Sequence, residues 1–372
     1  MLTHLRSTAR SAAIFAFLLC AAPLALFAQN TRYVISIGDH PDVVGLRINF
    51  RDSDLRRVDG VNLTLWAPYE PARGRVRGLA FGLPVTGAED ISGVATGVFG
   101  VRAGRNITGI AIAPIGAGAG NRIKGIGFGG IGLGAGGDVQ GLMGGGIGIG
   151  AGGNAKGIVV VGIGAGIGGS ATGLVLGGIG AGAGGDFRGI GAGGIGMGIG
   201  GDMRGIAMGG VGVGVGGNAR GLLMRGVGAG IGGNFRGIAA GGVGVGVGGD
   251  MTGILLGGVG AGVGGTMHGM AIGGLGVGAA NIEGVAIGGF GVGGLNVHGF
   301  TATAGLLRIE PDGRFRGFSV NALGSMIKGT QNGVVIGLVN YARSVNGLQI
   351  GLINIIDSAT SHRVLPFFNW QD

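Results

Sequence analysis

The chain has 372 residues, 100 of them glycine and one cysteine, and a formal net charge of +9. So much glycine points toward fibrous or disordered proteins, and one cysteine excludes a disulfide framework. The charge permits affinity for anionic surfaces without demanding it. Strict apolar columns in the middle of the chain exclude disorder, because they supply the burial that disordered chains lack. A silk-like reading fits the alternation of Ile and Val with Gly but not a polar corner every sixteen residues.

Residues 1–28 read as a signal peptide. Arg6 and Arg10 precede an apolar run from Ala12 to Ala28, too short to span a bilayer and without a stop-transfer sequel. The expected cut follows Ala28, with Leu26 in place of the usual small residue. Cys20 follows Leu19, which is not the small residue a lipoprotein site needs, so it falls in the discarded segment. The mature chain is then cysteine-free and, without Arg6 and Arg10, carries +7.

Residues 29–77 form an expected N-terminal cap with degenerate units. Tyr33–Ile37 and Leu46–Phe50 alternate like strands, and Val58–Trp66 resembles a worn repeat. The dense charge of Arg51, Asp52, Asp54, Arg56, Arg57 and Asp59 suits the end of a stack, where an open sheet edge invites aggregation.

Residues 78–299 carry a phrase of sixteen residues. Its opening glycines include Gly93, Gly109, Gly125, Gly141, Gly157, Gly173, Gly189, Gly205, Gly221, Gly237, Gly253 and Gly269, and the spacing tightens to fifteen at Gly284 and Gly299. A short fixed period marks a stacked repeat. With the opening glycine numbered zero, positions one and six are apolar throughout, as in Ile126 and Ile131. Positions eight and ten are smaller, with glycine between. The period of two over positions six, eight and ten predicts a strand with one apolar inner face and one bare glycine face. Ile115, Ile131 and Ile147 are therefore expected one above the next inside a narrow tube. The Gly-Gly pair at positions four and five predicts a corner with positive φ. Asn, Asp, Ser or Thr at position thirteen predicts a second corner tolerant of left-handed angles.

The fold expected is all-β: a Gly-rich β-solenoid, parallel β-helix-like, with 16-residue coils of two short strands and caps at both ends. The alternative is an antiparallel β-barrel. The strands are short for a bilayer, which needs about 9–11 residues per strand, and glycine occupies the face where a barrel lumen carries polar side chains. Residues 300–372 read as variant repeats and an aromatic C-terminal cap. Glu310–Gly313 is an inserted turn, units resume at Gly333 and Gly347, and Leu365–Trp370 is positioned to plug the open end.

The phrases Gly45–Phe50, Val58–Leu63, Asn346–Asn354 and Pro366–Trp370 resemble those of exported bacterial surface-repeat proteins built on G-L-Q-x-G-L-x-N units and ending in P-F-x-N-W. The resemblance covers the two ends, roughly a third of the chain. It implies a bacterial cell-surface or outer-membrane location, and it carries no activity or binding residues.

Chemistry is sparse. The many G-x-G-x-x-G matches mean nothing at this glycine content, and no Gly-Lys-Ser/Thr follows them. His40, His268, His298 and His362 lack metal spacing, and Asp alternates too freely with Asn, Ser and Thr at the corners for stacked calcium ligands. No catalytic, cofactor or metal residues are expected, and no loop insertion offers an enzyme pocket. Position fifteen carries Lys124, Lys156, Arg188, Arg204, Arg220 and Arg236. Stacked, Arg188, Arg204, Arg220 and Arg236 would form a row for an anionic polysaccharide or lipopolysaccharide, unless solvent and Asp186 and Asp202 neutralise it. The bare glycine face suggests self-association or adhesion. The expected role is an exported, non-enzymatic scaffold at the cell surface, in the outer membrane or outside the cell. Nucleic acid is not an expected partner, and membrane association would be without a transmembrane helix.

Overall fold

The computed structural model describes residues 34–371; the signal-peptide reading of 1–28, with Cys20, lies outside the described residues. The chain folds as two compact units, one ending at Gly162 and the other beginning at Ile163. Both are built from parallel coils of about 16 residues, with no helix among the described residues. The fold is a β-solenoid and not a barrel: strands one coil apart pair in parallel, whereas hairpins would pair antiparallel.

Each central coil has one long and one short strand. In the first unit, Arg122–Gly129, Val139–Gly145 and Ala155–Val161 pair so that Gly125, Gly141 and Gly157 are partners. The short strands Gly132–Ala135 and Gly148–Ala151 stack in the same register. In the second unit, Phe187–Gly193, Met203–Gly209, Ala219–Arg225 and Phe235–Gly241 repeat the arrangement, as do Gly196–Ile199, Gly212–Val215 and Gly228–Ile231.

The opening glycine is what fixes this geometry. Gly205 has φ +131, and a Cβ built on it would lie 2.0 Å from the carbonyl oxygen of Gly189 in the preceding coil. Only glycine tolerates both conditions. The residue bends the long strand without breaking its ladder, so positions fifteen and one both face outward, while fourteen and two both face inward.

That bend overturns part of the sequence reading. The core consists of positions two, four, eight, ten and fourteen, exemplified by Leu223, Val213, Val215 and Phe187. The strict apolar columns at one and six lie outside: Ile131, Ile147, Ile179 and Ile195 are each about half exposed. Position six belongs to the corner before the short strand, where its N–H continues the ladder, as Ile147 donates to the Ile131 carbonyl at 2.7 Å. Alternation with positions eight and ten therefore fails at that residue. The Gly-Gly corner is not a positive-φ turn either. It is glycine because space is lacking: a Cβ on Gly130 would lie 1.9 Å from the Pro114 oxygen.

The interior is filled by compensation across its width. Where position two is Leu223 or Leu255, position eight is Ala229 or Ala261; where two is Ala207 or Ala239, eight is Val213 or Val245. Gly191 faces Met197 so closely that a Cβ would lie 2.1 Å from the methionine methyl. In these coils pair volume is held near constant, as close packing requires; Ala111 with Ala117 and Met143 with Ile149 depart from it.

The ends differ. At the first, Gly45, Gly60, Gly78 and Gly93 continue the bend column. Arg47 is fully buried there, paired with Asp39 and Asp52 and donating to Asn62 Oδ1 and the His40 carbonyl, each at 2.9 Å. At the other end Gly299, Gly317, Gly333 and Gly347 stay in register, and residues 310–313 form an unpaired bulge within Leu306–Asn321. The interior there is polar, with Gln349 donating to Gln331 at 3.1 Å and Asn340 to Asn354 at 2.9 Å. Val364–Gln371 closes the stack antiparallel on Val339–Ile356. The expected aromatic plug is not present: Asn369 is the buried residue, and Phe367, Phe368 and Trp370 are exposed. Backbone pairing closes that edge.

Two glycine columns should therefore respond in opposite ways. Gly205→Ala introduces a Cβ at positive φ against a backbone carbonyl and should cost more than about 2 kcal/mol. Gly214→Ala, whose Cβ meets nothing within 4 Å, should change stability by less than about 0.5 kcal/mol. Urea unfolding of both variants measures the contrast.

Candidate functional surfaces

Position fifteen stands just before the bend and points outward. Arg188, Arg204, Arg220 and Arg236 are partners in register, bounded by Thr172 and Thr252. All four are exposed. None has an ion-pair partner among the described residues, whereas in the first unit Arg122 reaches Asp138 at 3.2 Å. The row expected from the sequence is thus assembled in the second unit. In the first unit Gln140 separates Lys124 from Lys156.

The adjacent acids are occupied otherwise. Asp186 Oδ1 accepts the backbone N–H of Asp202 at 2.9 Å, and Asp202 Oδ1 accepts that of Asn218 at 2.8 Å. Asn218, Asn234 and Asp250 continue the ladder to Thr266 at 2.7–2.9 Å. This explains position thirteen better than the left-handed-turn reading, since none of these residues is at positive φ. The side chain supplies an acceptor to the next coil's corner N–H, which would otherwise lack a partner. A groove of about 450 Å³ runs between this ladder and the arginines, lined by Arg204, Arg220, Arg236, Asn218 and Asn234.

Two further surfaces lie on opposite sides of each flattened coil. The outer side of the long strand is apolar at positions one and three, as at Ile190, Ile238, Met224 and Leu256. The outer side of the short strand is bare glycine at positions seven and nine, as the sequence predicts. Gly198, Gly214, Gly230 and Gly262 have no positive φ, and an added Cβ meets open space. Nothing inside the coil explains why they are glycine.

Among the described residues no group of three His, Cys, Asp or Glu side chains is placed to hold a metal. His268 faces Glu283 at 2.8 Å as an exposed pair. Comparison with known proteins finds no match to any family model, curated protein or solved structure.

Two carboxyls tie the first unit to pH. The backbone N–H of Asn154 and the Arg122 guanidinium hold Asp138 below its ordinary 3.8. Burial would raise Asp39, but hydrogen bonds from Ser53 and the charge of Arg47 outweigh it and lower it from the same value. Both bind protons more weakly folded than unfolded. Their stabilisation is therefore present above about pH 3.8 and lost as pH falls through the lower folded values. The melting temperature should fall as pH drops below about 4, and Asp138→Asn should flatten the slope. In the second unit Asp202→Ala should cost about 1 kcal/mol by orphaning the Asn218 N–H, while Asp202→Asn, which keeps an acceptor, should cost little; urea midpoints distinguish them.

Proposed function

We propose that the protein is a non-enzymatic scaffold of the bacterial cell surface whose flat sides make lateral contacts between copies. The observation that carries this reading is the column Gly198, Gly214 and Gly230, where the fold leaves room for any side chain and glycine stands at each position nine from Gly118 to Gly293. A sheet side without side chains lets a second sheet approach to backbone distance. The Ile and Val column at position six stands beside it, half exposed. Contiguous exposed apolar surface of this kind marks interaction sites. Strict apolarity outside, against compensating variation inside, points to a contact partner, because packing within the coil explains only the interior. Export and surface location rest on the leader-like segment and on the resemblance of the two ends to surface-repeat proteins.

A second reading is favoured by the arginine row. Four exposed guanidinium groups about 4.8 Å apart, free of ion pairs, suit a linear polyanion such as lipopolysaccharide or an acidic polysaccharide. Replacing Arg188, Arg204, Arg220 and Arg236 with Ser should abolish retention on heparin; unchanged retention removes this reading.

Lateral association is tested by sedimentation velocity over rising concentration. The triple variant Gly198→Glu, Gly214→Glu, Gly230→Glu should remain folded and become monomeric. A wild-type chain that is monomeric throughout, or variant oligomers of unchanged size, would contradict the scaffold reading.

A further inference from the structure

Positions thirteen and fifteen border one groove in the second unit, and their charges do not run in step. Coil by coil, the pairs are Asp186 with Arg188, Asp202 with Arg204, Asn218 with Arg220, Asn234 with Arg236, and Asp250 with Thr252. The first two pairs are neutral, the next two carry one positive charge each, and the last carries one negative charge. The groove of about 450 Å³ follows this pattern. Asp202 stands at one end and Asp250 at the other, with Asn218, Arg220, Asn234 and Arg236 between, and Arg188 does not line it. The four arginines are therefore not equivalent.

The ladder also orients the two amides. Asn218 Oδ1 accepts the N–H of Asn234 at 2.9 Å, and Asn234 Oδ1 accepts that of Asp250 at 2.7 Å. An amide has one carbonyl oxygen and one NH2 group, so in both residues the NH2 end is turned away from the ladder bond. Asn218 Nδ2 donates to Asp202 Oδ1 at 3.2 Å with one of its hydrogens, and Asn234 Nδ2 has no partner among the described residues. Both asparagines and both arginines are exposed. The centre of the groove thus offers donors: two guanidinium forks on strands about 4.8 Å apart, and two amide groups. The ends are the opposite. Oδ1 of Asp202 and of Asp250 is taken by the next coil's N–H, and each Oδ2 is left as an acceptor.

We propose that the groove binds a phosphodiester flanked by sugars or polyols, its phosphate bridging Arg220 and Arg236 and its hydroxyls donating to Asp202 and Asp250. The assignment deepens the polyanion reading of the row and rests on it. Phosphate oxygens match guanidinium forks, and a tetrahedral phosphate presents oxygens to two forks where a carboxylate pairs with one. The midpoint between the coils of Arg220 and Arg236 lies about 7 Å from the coils of Asp202 and Asp250 alike, a span that a hydroxyl on either flank covers. A polymer with a charge at every coil would set an anion against Asp250, inside the Debye length of about 8 Å. A neutral saccharide forgoes the charge-assisted bonds.

Isothermal titration of the purified protein with glycerophosphoinositol, which carries a polyol on each side of one phosphate, tests the assignment. It should bind near one equivalent, about tenfold or more tightly than inorganic phosphate or myo-inositol. Asn234→Asp keeps the ladder acceptor and installs the residue of Asp202 and Asp250, so it should stay folded while weakening the diester about tenfold. Arg236→Ser should weaken it as much, and Arg188→Ser by less than about twofold. Flotation with phosphatidylinositol vesicles separates the sources. Flotation that Asn234→Asp abolishes assigns a lipid headgroup; binding of the free diester without flotation assigns a saccharide. Failure of the diester to bind, equal affinity in Asn234→Asp, or equal losses in Arg188→Ser and Arg236→Ser overturn the proposal. Heparin reads the row separately: heparin retained without diester binding confines the failure to this assignment, and loss of both removes the row itself.

Discussion

The carbonyl oxygen of each opening glycine occupies the space that a Cβ on the next coil's opening glycine would need. This contact, 2.0 Å to an imagined Cβ at Gly125 and again at Gly221, recurs at coil after coil within each unit. It holds the register, because a slip by one residue would bring a side chain into that space and turn every inward residue outward. It also sets the bend of the long strand. The division of the sixteen positions into five that pack inside and the rest that face solvent follows from it.

With the division known, the two classes of column obey different rules. Inside, large opposes small in most coils, and the identity of any one residue is loosely constrained as long as its partner compensates. The polar ladders serve the same end where volume is not the issue: the acceptors of Asp186, Asp202, Asn218, Asn234 and Asp250 satisfy one corner N–H per coil. Outside, positions one and six remain apolar and position nine remains glycine from Gly118 to Gly293, although the coil demands neither. The surface is thus more regular than the core, the reverse of what packing alone produces. A protein built to present repeated contacts would have this distribution.

Much of this was legible in the chain. The period, the parallel stacking, the outward glycine of positions seven and nine, and the arginine row all follow from residue columns. The inside–outside assignment of Ile115, Ile131 and Ile147 did not follow, for a physical reason. Alternation assumes an unbroken strand, and the corner at positions five and six interrupts it just before the residue in question. The bend at position zero does the same to Ile110 and Ile126. Both interruptions are made by glycine, which in a chain of 100 glycines gives no distinguishing signal. The role of position thirteen was half visible: Asn, Asp, Ser and Thr share a side-chain oxygen, but the acceptor's partner is sixteen residues away and emerges only with stacking. Arg225 was visible as the one cation in a run of glycines at position four, but its burial and its two unpartnered nitrogens emerge only with the fold.

The parallel register with outward position six is tested most directly by electron paramagnetic resonance on nitroxides attached at Ile179→Cys and Val211→Cys. Those sites are two coils apart in one outer column and exposed. The structure predicts a dipolar-broadened spectrum, with backbone attachment points about 10 Å apart and labels that retain solvent mobility. Immobilised labels inside a core, or a pair too distant to broaden each other, would contradict the account.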